Sequence, residues 1–277
     1  MGCAMRQTPI TDQKVRPTGI LWNGIRDELD LWSAAGKTVR LWLRDDDAIE
    51  PTGQLDRLIL LSGRFDAPVL LAVVPMRAEP SLVRRLVASA ELRPCQHGFL
   101  HRNHATPERK AEFGPQRVLE AMVEEIAGGW LRLQDLFGER AHRVFVPPWN
   151  RIDPALVARL PEIGFRGLSS IRTVSILSVA GLATVNSDLD VIDWKGGRVG
   201  RAHDELVDEL HAMLREKREA GESSATLGVL MHHLVHDETA WEFMADLLTV
   251  MRHHPAVAMA DPADLFASSA AMTGTAD

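Results

Sequence analysis

Cysteine is scarce in this 277-residue chain: there are two, Cys3 and Cys95. Two cysteines cannot build a disulfide framework or a cysteine-rich zinc site. Positive charge is not in excess. With 31 Lys and Arg against 38 Asp and Glu, the formal net charge is -7, which argues against a general nucleic-acid binder. Long hydrophobic runs are missing too. The opening MGCAMRQTPITDQKVRPTG offers no apolar core for a signal peptide. No stretch approaches the roughly 20 apolar residues of a membrane span. Cys3 lacks the preceding apolar segment of a lipoprotein signal, and Gly2 lacks the Ser or Thr that a myristoylation signal places downstream. These absences predict a cytoplasmic protein. No internal repeat, low-complexity tract or linker divides the chain.

What is present is an ordinary globular mixture, 45% hydrophobic and 25% charged, long enough to bury a large core without covalent staples. Residues 1–20 read as a loose N-terminal segment and 21–277 as one domain. Apolar runs alternate with amphipathic ones. Strands are expected at 38–46, 68–75, 92–96, 143–147, 165–170, within 182–194, at 226–233 and at 256–260. Helices are expected at 53–65, 81–90, 108–136 with a break at Gly114-Pro115, 153–164, 204–220, 239–252 and 262–271. In 153–164, Asp153 is a natural N-cap, Pro154 suits the first helical position and Gly164 follows the end. Nearly continuous apolar strands belong to a parallel sheet covered by helices. At this length the pattern predicts a closed or nearly closed (β/α) barrel, with a doubly wound sheet as the alternative.

In parallel α/β folds the chemistry sits at the C-terminal ends of strands. Here those ends carry RDDDA, QHGFLH, PPWNR and HHLVHD. Asp45, Asp46 and Asp47 repel one another, so they form either a solvated acidic turn or a site where one carboxylate binds a metal and a neighbour acts as a base. Successive strand residues point to opposite sides, so two neighbours converge only if the chain turns. His97 and His101 are four residues apart, a spacing that lets two imidazoles reach one cation. Gly98 follows the first, so this is not a metalloprotease HExxH. His104 is a third histidine nearby, second-layer or exposed. His232 and His233 end a strand, and alternation lets one of them face a barrel mouth. His203, His211, His253 and His254 receive no role.

Taken in order, these clusters resemble the polysaccharide deacetylase family, the NodB-homology carbohydrate esterases. Its strand-end Asp pair matches within RDDDA. Its His-x-x-x-His matches His97 to His101, its aromatic-Arg-Pro-Pro stretch is similar to FVPPWN at 145–150, its Asp-x-x-Asp-Trp matches Asp190 to Trp194, and its Leu-x-His matches Leu230 to His232. The resemblance spans residue 38 to the C-terminus and implies a distorted (β/α)7 barrel with one divalent metal: zinc first, with cobalt, nickel or manganese as alternatives. Three positions depart from the pattern. Val146 stands where the family has an Arg that orients the catalytic Asp, Ala48 replaces a Gly, and Asn150 replaces another. Arg44 and Arg151 are the cations that could take the missing place.

The resemblance implies roles. Asp47, His97 and His101 would hold the metal, and Asp46 would be the base; the register one residue earlier, Asp45 and Asp46, stays open. The backbone N–H of Trp149, beside Pro148, would bind the oxyanion, and His232 would protonate the leaving amine. Asp193 resembles the residue that pairs with the missing Arg, and Trp194 would line the pocket. Asp45, His104, Arg151 and His233 are the less specific candidates. The implied reaction removes an N-acetyl group from an amino-sugar substrate, small or oligosaccharide. Two alternatives remain: hydrolysis of another non-peptide C–N bond, such as a cyclic amide or formamide, or a metal-binding barrel without catalysis.

Overall fold

The computed structural model describes residues 19–221 and 223–272; Cys3 and most of the segment expected to be loose lie outside them. The chain begins with α1 (Asn23–Ala34), then β1 (Thr38–Ala48), α2 (Gly53–Phe65), β2 (Val69–Val73), α3 (Pro80–Leu86), β3 (Leu92–His97), α4 (Leu119–Phe137) and β4 (His142–Val146). Two single-turn helices follow, α5 (Pro154–Val157) and α6 (Leu160–Ile163), with the short strands β5 (Gly167–Leu168), β6 (Ala183–Thr184), β7 (Leu189–Asp190), β8 (Ile192–Asp193) and β9 (Val199–Gly200). The last part is α7 (His203–Glu219), β10 (Ser224–Met231), α8 (Glu238–Met251), β11 (Val257–Met259) and α9 (Pro262–Met272).

The main sheet is parallel, in the order β6-β5-β4-β3-β2-β1-β10-β7, with β11 also on β1. Its two ends meet in one stretch of chain. Val185 donates to the carbonyl of Leu168 in β5 and Ser187 to that of Ser170 just beyond it, while Asp188 and Val191 donate to Gly228 and Leu230 of β10. Residues 183–191 thus serve as one stave with two partners and close a distorted (β/α)7 barrel. The strand alternation sorts β1 cleanly. Val39, Leu41 and Leu43 join the layer under the helices, with Leu58, Leu247 and Leu248. Trp42 faces the interior with Leu70, Ala72, Val144, Val146 and Phe266. Each fully buried aliphatic side chain of the outer layer contributes about 1.5–3 kcal/mol. The interior is narrow: a Cβ at Gly228 would lie 2.6 Å from the Trp42 indole nitrogen. From Trp42, the same face of β1 continues to Arg44 and Asp46 at the C-terminal mouth.

The sequence-based elements need three corrections. The helix expected over 108–136 starts at Leu119, because Glu112 and Asn103 take up the backbone N–H groups of the preceding loop. The helix of 153–164 splits into α5 and α6, with the Asp153 carboxylate accepting the Ala155 N–H as cap and Gly164 ending it at φ 105°. Helix α1, not singled out from sequence, packs on α7: Trp32 Nε1 donates to the Leu214 carbonyl and Glu28 pairs with Arg218. Among the described residues no helix is long and apolar enough to cross a membrane.

Candidate active site

The three consecutive aspartates diverge because β1 bulges. Asp45 is opposite Leu71 and Ala48 is opposite Val73, so β1 takes three steps where β2 takes two. Asp47 absorbs the extra residue at φ 76°, a conformation Asp tolerates better than most. Asp46 and Asp47 are thereby both available at the mouth, while Asp45 stays in the outer layer.

Asp47 Oδ1 lies 3.2 Å from His97 Nε2 and 3.1 Å from His101 Nε2. One ligand atom from each of the three residues falls within 4.8 Å of the others. His97 Nδ1 faces the Val146 carbonyl at 3.0 Å, which puts the proton there and leaves Nε2 as the donor atom. An O, N, N set with one imidazole already oriented from behind fits a single divalent ion of the zinc type. Burial resists ionisation of Asp47, but the hydrogen bond and charge of His97 outweigh it and hold the carboxyl below its usual range. Burial also resists protonation of His97, yet the charges of Asp46 and Asp47 raise its pKa. Burial and the neighbouring His97 push His101 down to about 4.

The His101 loop is built on a residue the sequence reading passed over. Glu112 is buried, and its carboxylate accepts the backbone N–H of Phe99 at 3.0 Å, Leu100 at 2.9 Å and Arg102 at 3.1 Å. Three N–H groups around one carboxylate fold the turn that carries His101, itself at φ 57°. Gly98 adopts φ 59°, and a Cβ there would overlap Glu112 Oε2 and the Pro148 ring.

Asp46 is held by Arg44, two residues earlier on the same strand face. Arg44 is fully buried, and all five of its N–H donors are used. Nε and Nη2 bind the two Asp46 oxygens at 2.8 and 2.7 Å. The rest reach Ser169 Oγ at 3.1 Å, the Ser170 carbonyl at 2.9 Å and Asn150 Oδ1 at 2.7 Å. Burial would raise the Asp46 pKa, but Arg44 and then His97 lower it on balance. Arg44 is thus the cation bound to Asp46, and Asn150 supplies one of its acceptors. Arg151 is not bound there: its guanidinium donates to the Lys110 carbonyl at an exposed position.

On the other side of the mouth, His232 Nε2 is 3.9 Å from Asp46 Oδ2. The Trp194 ring meets His232 at 4.6 Å between centroids, with its indole N–H held by Asp190 Oδ2 at 2.8 Å. Trp149 packs on His101 at 4.3 Å with φ 54°, and its backbone N–H has no acceptor among the described residues. Besides Arg151, four sequence candidates lie apart from this constellation. Asp193 caps its own turn through the N–H groups of Lys195 and Gly196. His104 is an exposed loop residue tied by its backbone to Ala111. Asp45 and His233 pair with each other in the outer layer, because each sits one residue out of phase with the inward face. Of the two cations named from sequence, Arg44 is the one marked by an i, i+2 relation to Asp46; Glu112, Ser169 and Ser170 come from distant loops and leave no comparable signal.

No family model and no curated protein sequence matches this chain. Solved structures do. A candidate polysaccharide deacetylase from Mycobacterium smegmatis is 16% identical, with a TM-score of 0.63 over 86% of this chain and 92% of that one. A family 4 carbohydrate esterase from Streptomyces lividans, in complex with acetate, is 16% identical with a TM-score of 0.53, covering 79% and 91%. The PuuE allantoinase is 15% identical with a TM-score of 0.63, covering 84% and 89%. The chain has the fold of the polysaccharide deacetylases, and that fold also carries an allantoinase.

Proposed function

We propose that this barrel is a metal-dependent hydrolase of a non-peptide carbon–nitrogen bond, removing an N-acetyl or similar acyl group from an amino sugar. The observation that carries it is the meeting, in one mouth, of an Asp47–His97–His101 triad with Asp46 and His232. Asp47 Oδ1 and the Nε2 atoms of His97 and His101 would hold the ion. A zinc ion bound there supplies Lewis acidity, which lowers the pKa of water and polarises a carbonyl.

The chain's own groups do the rest. Asp46 takes a proton from the attacking water at a carboxylate oxygen. Arg44 keeps it ionised and fixes its plane, since two parallel N–H bonds leave it one orientation. The free Trp149 N–H is the donor for the developing oxyanion. An amide nitrogen does not leave as an anion, so His232 protonates it from the opposite side. Trp194 excludes water from that side and offers a flat face to a sugar or ring. Pro148 braces the turn that presents Trp149.

A barrel that binds metal without reacting is the reading the missing third-motif arginine favours; Arg44, bonded to both Asp46 oxygens, supports the catalytic one. Cyclic amide hydrolysis is the second reading, favoured by a likeness to PuuE allantoinase as high as that to the deacetylase. The test is metal content by elemental mass spectrometry for wild type, His97→Ala and Asp47→Ala, with acetate release from N-acetylated amino sugars and ring opening of allantoin. One zinc per wild-type chain, lost in both folded variants, with acetate released, is the expected result. A chain that takes up no metal on titration overturns the mechanism, and ring opening without acetate release overturns the substrate class.

A further inference from the structure

Asp45 and His233 belong to the polar runs that build the site, yet the proposed chemistry uses neither. Each is the immediate neighbour of a residue it does use: Asp45 precedes Asp46, and His233 follows His232. Both are completely buried in the layer between sheet and helices. His233 Nδ1 lies 2.5 Å from Asp45 Oδ1, and the His233 backbone N–H donates to Asp45 Oδ2 at 2.8 Å. Both carboxylate oxygens of a β1 residue are thus spent on one residue that follows β10.

Where this happens matters. The parallel ladder between β1 and β10 runs from Thr38/Ser224 to Asp45/Met231 and stops. Asp46, Asp47 and His232 come just after the last rung, where backbone pairing no longer fixes one strand against the other. His232 has already left regular strand geometry, at φ -143° and ψ 83°, and its own N–H turns to His236 Nε2 at 3.3 Å.

We propose that the Asp45–His233 pair is a positioning clamp that carries the β1–β10 register past the end of the ladder and sets the separation of Asp46 from His232. The inference rests on reading those two as base and acid. A purely stabilising role suits the pair poorly. Desolvation offsets the attraction of buried charges, and His233 Nε2 is left buried without a partner, a further cost. What the pair does supply is direction. A two-point attachment between a side chain and a backbone N–H fixes the residue before it as well.

The test uses the zinc-loaded full chain and the double variant Asp45→Leu/His233→Leu. Replacing a buried pair by apolar residues of similar volume generally keeps stability, so this variant separates folding from positioning. The readouts are thermal midpoint, zinc content, the Asp46–His232 separation in a crystal structure, and the kcat and KM of acetate release from N,N′-diacetylchitobiose. The expected result is a midpoint and zinc content near wild type, a separation lengthened by about 1 Å, and kcat down by about a hundredfold with little change in KM. A folded double variant with the wild-type separation and kcat overturns the clamp. Should the double variant not fold, Asp45→Asn keeps the shape but turns one acceptor into a donor facing His233, and the same readouts decide. A zinc-loaded wild type that leaves the probe intact counts against the deacetylase reading alone, because the crystallographic separation still judges the clamp.

Discussion

Replacing Arg44 by Met is the sharpest perturbation of the site. The guanidinium is fully buried and binds both oxygens of a carboxylate that is itself nearly inaccessible. Met fills much of the volume but leaves Asp46 as a buried charge without its cation, and strands Asn150 Oδ1. Removing one partner of such a pair costs about 3–5 kcal/mol. For a chain of this size each kcal/mol moves the thermal midpoint by roughly 2–4 °C, so a fall on the order of 10 °C is expected at neutral pH. The pH dependence makes the test specific. In the wild type the folded pKa of Asp46 is depressed, so its contribution is present above the unfolded value and lost as pH falls through the folded one. In the variant, burial acts without Arg44 and the folded pKa rises. The penalty is then full at neutral pH and shrinks as acid protonates the carboxyl. The assay is thermal denaturation of metal-free protein at pH 7.5 and pH 4.5. A midpoint within about 2 °C of wild type at neutral pH, or a gap unchanged at pH 4.5, refutes the account, since either means Asp46 does not depend on Arg44 for its charge.

Three other expectations concern the metal loop. Glu112→Ala frees three backbone N–H groups around His101, and zinc affinity measured by chelator competition falls about 10- to 100-fold; an unchanged affinity in a folded variant dismisses the role. Gly98→Ala, strained at φ 59° and crowded by Glu112 and Pro148, lowers the thermal midpoint, whereas Gly63→Ala, with nothing within 4 Å of the new methyl group, does not. Zinc affinity declines on acidification as His97, whose pKa is raised by the charges of Asp46 and Asp47, gains a proton before His101, which is low at about 4. Titration by calorimetry from pH 8 to 5.5 reads this, and a flat profile contradicts it.

The barrel and the inward residues were legible because they obey the period of a strand. Alternation along 38–48 places Trp42, Arg44 and Asp46 on one face and Leu41, Leu43 and Asp45 on the other. What alternation could not decide was Asp47. Its side chain reaches the mouth through a bulge, and a bulge depends on how β2 pairs, not on β1 alone. Glu112 illustrates the opposite failure. Residues 108–113, ahead of the Gly114-Pro115 break, carry helix-compatible composition, but a carboxylate satisfied by three N–H groups in tertiary contact overrides that local preference. Arg151, adjacent to the third motif, looked as good a replacement for the missing arginine as Arg44. Proximity in sequence misled there, because residue 151 has already left the strand face that looks inward. The doublet His232-His233 and the triplet of aspartates are partners across two strands, a relation between register and phase that a linear scan does not display.

Strand β1 is bonded on one side to β10 over eight residue pairs and shares its other edge between β11 and β2. That makes the element bearing Arg44, Asp46 and Asp47 the most thoroughly tethered in the barrel. Its amide protons should therefore exchange with solvent only through global opening, on the slowest time scale of the molecule. Arg44, Asp46 and Asp47 then share the fate of the fold, while His101, carried by the 98–118 loop, does not. Mild denaturant will loosen the 98–118 loop first, while the centre of the barrel holds its arrangement until the whole chain unfolds.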